Sequence, residues 1–248
     1  MSSTAPAILS PAMPKPKEVP LPENSAAILE QIAPVLDQFL DFNNFVIGGG
    51  SVLAARWHHR RSFDVDLFTT ESEGTMAIHQ QAELLRAAVG RRCGDCVSVS
   101  TTPRHGEIVL EARGIVEWAF VQRLTQRPPV QEVEPITGMQ LDCTEEILAH
   151  KLYSRMYLHG GRAIRDLYDL AWAIEHHGPE SLTSGVRFFG SDNGKAMLAV
   201  LGEMRDGFLA VDNSRPIVDP ADPSLEKRAV SVLHAYLGGI WPPLSRER

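Results

Sequence analysis

The sequence predicts an α/β (α+β) fold, in which helices flank a mixed β-sheet and a helical part follows toward the C-terminus. Three observations lead to this prediction. Apolar residues recur at helical spacing over residues 26–42. Short apolar runs bounded by glycine, typical of buried strands, alternate with helical patterns over residues 45–122. Beyond Cys143 the pattern is helical again, which favours a mixed first half and a helical second half.

The composition is that of a globular protein. The chain has 248 residues, of which 44% are hydrophobic, and its net charge is −7. This length and apolar content allow a sizeable core. The sequence shows neither a membrane span nor the pattern of a secretion signal. The three cysteines, an odd number, argue against a disulfide framework, so we expect a cytoplasmic protein.

The pattern divides the chain into three parts. Residues 1–22 contain six prolines among Ser, Ala and Lys, and such a segment is predicted to be a flexible tail. The switch from mixed to helical patterns places a boundary near residue 140. We therefore predict an α/β domain over residues 23–140 and a helical domain over residues 141–248.

In the first of these domains the pattern starts with a helix over residues 26–42, which Pro34 is expected to kink or split. A short strand follows at residues 45–47. Three glycines then break the pattern, and Ser51 is predicted to cap a helix that ends near Trp57.

The rest of the α/β domain alternates between the two patterns. A strand is predicted at residues 65–68, a helix at 76–89 and a strand at 97–100. Residues 107–112 and 115–122 read as a hairpin with its turn at Arg113-Gly114.

The C-terminal part is predicted to be helical. Thr144 is a suitable N-cap for a helix that ends at Gly160, and a second helix is predicted over residues 162–176. Helices are also expected around residues 195–204 and 224–237.

Two acidic residues alternate with apolar residues in the predicted strand that begins near Val65. Because alternate side chains of a strand share a face, Asp64 and Asp66 are expected to project together while Val65 and Leu67 enter the core. Their Cα atoms would lie about 7 Å apart, close enough for both carboxylates to bind a hard cation such as Mg²⁺. The alternative interpretation is an exposed strand face.

The glycine turn supplies a second element. A strand followed by Gly49, Gly50 and Ser51 and then by a helix gathers backbone N–H groups at a helix N-terminus. Such a turn is a ready anion site, suited to phosphates. Ser51 is expected to add a hydroxyl.

An acidic chain is not typical of a general nucleic-acid binder, so phosphate or RNA contacts must come from local basic segments. Two such segments are present: Arg56, His58, His59, Arg60 and Arg61 in one, and Lys151, Arg155, Arg162 and Arg165 in the other.

The spacing of the second segment leaves its role open. Lys151 and Arg155 are four residues apart and share a helix face, either as a cationic wall or as ion-pair partners of Glu146 or Asp166. The same spacing allows structural ion pairs between Arg162 and Asp166 and between Arg165 and Asp169.

Two blocks of this sequence resemble a known family. The first is Ile47–Leu53 together with His59–Phe68, and the second is Glu146–Leu152, Arg155 and Arg165–Leu170. They resemble the AbiEii/AbiGii-type nucleotidyltransferase toxins, of the DNA polymerase β-like nucleotidyltransferase superfamily, over residues 40 to 175. Ser51 departs from the family's usual Gly-Gly-Thr but retains the hydroxyl.

The resemblance implies a nucleotidyltransferase fold and a reaction that moves a nucleotide from a nucleoside triphosphate (NTP) to an acceptor, with Mg²⁺ or Mn²⁺. Relatives are toxins of toxin–antitoxin or abortive-infection systems, and some modify tRNA, so RNA or tRNA is the expected acceptor and a cognate antitoxin a possible partner. A protein or a small molecule such as an antibiotic is the alternative acceptor. A protein that only binds nucleotide or antitoxin is the third hypothesis.

By position, the resemblance also suggests residue roles. The catalytic residues would be Asp64, Asp66, Lys151 and Asp169. The NTP would be bound by Gly49, Gly50, Ser51, Arg61, Ser62, Arg155 and Asp166. The metal ligands would be Asp64, Asp66 and a third carboxylate, for which Glu117 is the candidate and Glu107 and Glu111 are competitors. An antiparallel strand that carries Glu117 beside Asp64 would favour catalysis over simple binding.

Overall fold

The computed structural model describes residues 15–241, apart from 95, 112–113, 161 and 188. These residues contain one eight-stranded mixed sheet. Its strands are β1 (Lys17–Glu18), β2 (Val46–Gly48), β3 (Val65–Thr69), β4 (Cys96–Thr101), β5 (His105–Leu110), β6 (Gly114–Phe120), β7 (Glu132–Val133) and β8 (Gln140–Leu141). The spatial order is β1-β7-β8-β2-β3-β6-β5-β4. The central strand β3 pairs antiparallel with β2 and parallel with β6.

Helices flank the sheet and form most of the C-terminal part. They are α1 (Glu23–Leu36), α2 (Gly49–Trp57), α3 (Ser72–Gln80), α4 (Ala82–Arg92), α5 (Thr144–Ala149), α6 (Ile164–His177), α7 (Thr183–Val186), α8 (Gly190–Arg205) and α9 (Pro223–Ile240). A π-helix, His150–Leu158, continues α5, and short 3₁₀ turns occupy Phe42–Asn44 and Pro179–Leu182. None of the helices in the described part of the chain is long and apolar enough to cross a membrane.

One hydrophobic core runs through both parts of the chain. Val65 and Leu67 of β3 are fully buried in it, and so are Trp118 of β6 and Tyr168 of α6. The described strands all lie before Asp142 and the C-terminal helices follow from Thr144, as the pattern predicted. The shared core attaches the helices to the sheet and fixes the position of the face that lies between them.

The structure confirms the predicted mixed α/β class and shows why several predicted boundaries were wrong. Helix α1 ends at Leu36, two residues after Pro34, and does not reach residue 42. The single helix predicted at 76–89 is two helices that meet at Gln81. Neither predicted cap forms: α2 begins at Gly49, and Cys143 rather than Thr144 precedes α5. The hydroxyl of Thr144 instead accepts a hydrogen bond from Arg56.

The hairpin and the segment before α1 show two effects of tertiary packing. Strands β5 and β6 form the predicted antiparallel hairpin, with Gly114 at a φ of 132°. A Cβ at Gly114 would lie 2.1 Å from the carbonyl oxygen of Phe63, so no other residue fits. Residues 1–14 of the predicted tail lie outside the described residues. Its end is packed and not free, because β1 pairs with β7, and Val19 and Leu21 are buried.

Candidate active site

Three carboxylates meet where the central strands of the sheet face the C-terminal helices. Asp64 directly precedes β3, and Asp66 lies within it, between the buried side chains of Val65 and Leu67. Glu117 stands opposite Asp66 in the parallel register of β3 and β6. All three carboxylates line a cavity of about 240 Å³. The predicted projection of Asp64 and Asp66 to one side of the strand is therefore what the structure shows.

Glu117, the candidate third carboxylate, lies on a strand parallel to β3, whereas an antiparallel strand was considered from the sequence. Glu117 is beside Asp66, not Asp64, and β6 runs parallel to β3 because its hairpin partner β5 lies on its far side. Glu107, one strand farther away, accepts a hydrogen bond from Ser100 and does not line the cavity. Glu111 follows β5 and is exposed.

The cavity has two ends that differ in their surroundings. The inner end lies at Asp66, where a smaller cavity adjoins the larger one. The residues of the inner end are Gly49, Gly50, Asp66, Lys151 and Arg155. The outer end, at Asp64, belongs to the larger cavity alone; its members are Asp64, Arg162, Arg165, Asp212 and Arg215. Ser62 and Glu117 also line the larger cavity.

At the inner end, the glycines make room for two side chains. Gly49 has a φ of 68°, and a Cβ there would lie 1.7 Å from Oδ2 of Asp66. A Cβ at Gly50 would lie 2.3 Å from Nη2 of Arg60. The turn therefore needs glycine for the close approach of Asp66 and Arg60, as well as for any phosphate at the start of α2. Ser51 is fully buried, and its hydroxyl does not line the cavity.

The π-helix presents the cationic side of the inner end. Lys151 and Arg155 both line the cavity, which confirms that the two side chains share a face of the helix. The Lys151 ammonium contacts Asp166 and lies 3.1 Å from Oδ2 of Asp169. Both sequence interpretations of Lys151, cationic wall and ion-pair partner, are therefore realised together.

Asp169 lies behind Lys151, in a buried network. Arg60 donates to both its oxygens, from Nε at 2.6 Å and from Nη2 at 2.8 Å, and His59 Nε2 lies 2.7 Å from Oδ1. Burial by itself would raise the pKa of Asp169, but Arg60 and Lys151 hold it well below its usual range. Burial also lowers the pKa of His59, which favours a neutral ring that donates to Asp169. Asp169 thus positions Lys151 and Arg60.

Asp66 is destabilised as an anion by its surroundings. Burial, followed by the nearby charges of Glu117 and Asp64, raises the pKa of Asp66 to about 6, although Arg155 and Lys151 oppose this. The inner end therefore holds a buried carboxylate among other carboxylates. The anion of such a carboxylate is stabilised when a cation approaches it.

The outer end is built around Asp64 by arginines that lie far away in the sequence. Arg165 Nη1 donates to Oδ2 of Asp64 at 3.0 Å, so the predicted pair between Arg165 and Asp169 is not what forms. Arg215 Nη2 donates to both oxygens of Asp64, at 2.6 and 2.5 Å. The backbone N–H of Ile115 also donates to Asp64, at 3.3 Å.

Arg215 and Asp212 were not predicted, and they belong to the long connection between α8 and α9, residues 206–222. Backbone hydrogen bonds hold this connection in place. Ile164 N donates to Asp212 O at 3.0 Å, and Arg61 N donates to Val218 O at 2.9 Å. No motif or periodicity marks these two residues, so the sequence carried no signal for them.

The two basic segments behave differently in the structure. Arg61, a predicted NTP ligand, is exposed beside Asp219 and does not line the cavity. Arg56 binds Glu132 and the carbonyl of Asp142, and His59 and Arg60 are committed to Asp169. The members of the second segment all line the cavity: Lys151, Arg155, Arg162 and Arg165.

A mixed sheet that presents neighbouring carboxylates beside a glycine turn and a cationic helix is the arrangement of a nucleotidyltransferase. The family model described as "Nucleotidyl transferase AbiEii toxin, Type IV TA system" matches residues 34–227. The chain belongs to this family and is a toxin-class nucleotidyltransferase, as its motifs predicted. Among curated proteins, none matches the chain.

Solved structures with similar chains are distant in sequence. MenT4, a nucleotidyltransferase toxin from Mycobacterium tuberculosis H37Rv, is 17% identical, with 87% of this chain and 85% of that chain covered and a TM-score of 0.45. A protein from H. pylori described as a nucleotidyltransferase is 16% identical, with 88% and 95% covered and a TM-score of 0.48. A c-di-GMP synthase, CdnE, from Capnocytophaga granulosa is 12% identical, with 88% and 79% covered and a TM-score of 0.31.

Proposed function

We propose that this protein transfers a nucleotide from an NTP to a hydroxyl group of an RNA acceptor, with tRNA as the first candidate, and that the reaction requires Mg²⁺ or Mn²⁺. One observation carries the proposal. In a chain of net charge −7, a single cavity combines the carboxylates of Asp64, Asp66 and Glu117 with five arginines and a lysine. Phosphate-transfer chemistry needs this combination of cation-binding and phosphate-binding groups.

The cavity residues fit a divalent metal. Asp64, Asp66 and Glu117 offer only oxygen donors, which Mg²⁺ and Mn²⁺ prefer, and the pKa of the buried Asp66 is raised despite Arg155 and Lys151, so a further cation would stabilise its anion. Among the described residues, the compact group of three metal-type ligands lies elsewhere, at Glu175, His176 and Asp222. Arg228 already pairs with both carboxylates of that group. The metal in the cavity would therefore take further oxygens from substrate phosphates, as Mg²⁺ commonly does.

The protein's own groups account for the binding of the triphosphate. Lys151 and Arg155 face the start of α2 across the inner end, so an anion between them meets positive charge and the free N–H groups of a helix N-terminus. Asp166 and Asp169 hold Lys151 in place. The bound metal would stabilise negative charge on the phosphates and lower the pKa of the attacking hydroxyl.

The lining of the cavity and the family description support the proposed acceptor and partner. The second basic segment lines the cavity completely, which suits an acceptor that carries phosphates. The family description as part of a toxin–antitoxin system supports a cognate antitoxin, and with it a cytoplasmic site of action.

The test is transfer of an α-labelled nucleotide. The purified protein is incubated with Mg²⁺, each α-labelled NTP in turn and total tRNA, beside the variants Asp66→Asn and Asp37→Asn. Asp37 is exposed at the end of α1, so Asp37→Asn makes the same change of charge away from the cavity. We expect label on tRNA, unchanged by Asp37→Asn and reduced at least about 100-fold by Asp66→Asn.

Three other outcomes overturn parts of the proposal. Label that appears only on protein or on a small molecule refutes RNA as the acceptor. Transfer that persists in EDTA refutes the metal. If triphosphate binds but no acceptor is labelled, the protein is a binder of nucleotides and the proposed transfer is wrong.

A further inference from the structure

We propose that Arg165 and Arg215, at the outer end of the cavity, form a binding site for a phosphate of the acceptor strand, which Asp64 blocks until it binds the metal. This inference rests on the proposed function and adds to it the acceptor side of the reaction. It assigns a role to Arg215, which no motif in the sequence marks.

The position of Arg215 is set by the fold. Its connection, residues 206–222, is bonded to the start of α6 through Asp212 and to the segment before β3 through Val218. Both attachments are backbone hydrogen bonds, so the guanidinium stands at the cavity even when its own bonds to Asp64 are broken. Its side chain is 45% exposed, whereas that of Lys151 at the inner end is 9% exposed.

The excess of positive charge at the outer end would increase if Asp64 held a divalent cation. Three guanidinium groups, from Arg162, Arg165 and Arg215, face two carboxylates there, from Asp64 and Asp212. If Asp64 held a divalent cation, the cation would neutralise that carboxylate and would repel the two arginines that now hydrogen-bond to it. Among the described residues, Asp64 is the carboxylate with which both arginines pair, so neither would then have an acidic partner within ion-pair distance. A phosphodiester would supply the missing negative charge, because a guanidinium group donates two parallel hydrogen bonds to phosphate oxygens.

The direction of the reaction places the acceptor at this end. In an in-line displacement the attacking hydroxyl approaches the phosphorus from the side opposite to the leaving group. The inner end, with Lys151, Arg155 and the start of α2, suits the departing pyrophosphate. The hydroxyl must then arrive from the Asp64 side. In an RNA strand, the last phosphodiester lies one sugar away from the terminal hydroxyl groups, which brings it toward Arg165 and Arg215.

The first test compares Arg215→Ala with Arg205→Ala. Both substitutions remove one arginine of similar exposure, 45% and 41%, but Arg205 lies at the end of α8 beside Asp206. Binding of fluorescently labelled tRNA is measured by anisotropy in Mg²⁺ at several salt concentrations. We expect Arg215→Ala to weaken binding about tenfold and to reduce the salt slope by about 1, as for the loss of one phosphate contact. Equal effects of the two substitutions would overturn the inference.

The second test concerns the block by Asp64. We compare Asp64→Asn with Asp212→Asn, which makes the same change of charge at the same end but leaves the partner of Arg165 and Arg215 intact. In EDTA, Asp64→Asn should bind tRNA about tenfold more tightly than the wild type, since its arginines are already released. Asp212→Asn should change binding by less. If both variants gain equally, the effect is only one of net charge and the block is refuted.

Kinetics separate this inference from the proposed function. With labelled NTP, Arg215→Ala should raise the KM for tRNA about tenfold and leave the KM for the NTP unchanged. If the wild type transfers to tRNA and Arg215→Ala leaves the KM for tRNA unchanged, the subsite is refuted while the proposed function stands. If the wild type labels no RNA but the anisotropy tests give the expected pattern, the failure lies with the transfer and not with the anion site.

Discussion

The two ends of the cavity differ in how they are built and stabilised. At the inner end, Asp66, Lys151 and the buried Asp169 are held by neighbours that exclude water. At the outer end, Asp64 is held by Arg165 and by the half-exposed Arg215, whose hydrogen bond spans 151 positions of sequence. The residues of the inner end belong to two compact motifs, and so do Asp64 and Arg165 of the outer end. Asp212 and Arg215 complete the outer end, and they belong to a loop that only the fold brings near.

The comparison predicts that the same kind of substitution has a much larger effect on stability at the inner end. Asp169→Asn leaves the buried Arg60 and Lys151 without a full countercharge, and we expect a loss of about 3–5 kcal/mol of unfolding free energy. Arg215→Ala removes an exposed ion pair and should cost less than about 1 kcal/mol. Urea denaturation measures both. Similar losses for the two variants would show that the ends are not distinct in their packing.

A second prediction is that substitutions at the two ends change the stability of the metal-free protein in opposite directions. The pKa of Asp66 is raised to about 6, so folding favours its protonated form. The stability that protonation contributes is complete below the unfolded pKa near 4 and is lost as the pH rises through 6. At pH 8 in EDTA, Asp66→Asn should therefore stabilise the protein by about 3 kcal/mol.

Asp64→Asn is the counterpart at the outer end. It removes the bonds from Arg165 and Arg215, so we expect a loss of about 1 kcal/mol under the same conditions. Thermal unfolding from pH 4 to 8 distinguishes the two variants. A stabilising effect of Asp66→Asn that does not shrink below pH 5 would contradict the assigned cause.

The last prediction concerns the glycine turn. Gly49→Ala must accommodate a positive φ and a contact with Asp66, and we expect it to cost about 1–2 kcal/mol and to impair nucleotide transfer. Gly90→Ala in α4 is the control, because a Cβ there meets nothing within 4 Å and should stabilise the helix by about 0.5–1 kcal/mol. Chemical denaturation measures both, and destabilisation by Gly90→Ala would refute this interpretation of the helix.

Several parts of the fold and site were predictable for identifiable physical reasons. The alternation from Asp64 to Phe68 predicted which side chains enter the core, because a strand has a period of two. Glu117 was a candidate, but the direction of its strand was not predictable, since either strand of the hairpin could have paired with β3. Arg61 was expected in the cavity and lies outside it, while its neighbour Arg60 lies inside. A change of one position reverses the side to which a residue points, and local pattern does not determine that near a bend.

The sequence by itself determined the class of protein, the carboxylate strand, the glycine turn and the helix that carries Lys151 and Arg155, because each depends on neighbours within a few residues. The tertiary structure decided which acid each base meets. Asp169 pairs with Arg60 rather than Arg165, and Arg165 pairs with Asp64. Ion pairs form between groups that packing brings within a few ångströms, and backbone hydrogen bonds to the start of α6 and to the segment before β3 hold the long connection that carries Arg215 at the cavity.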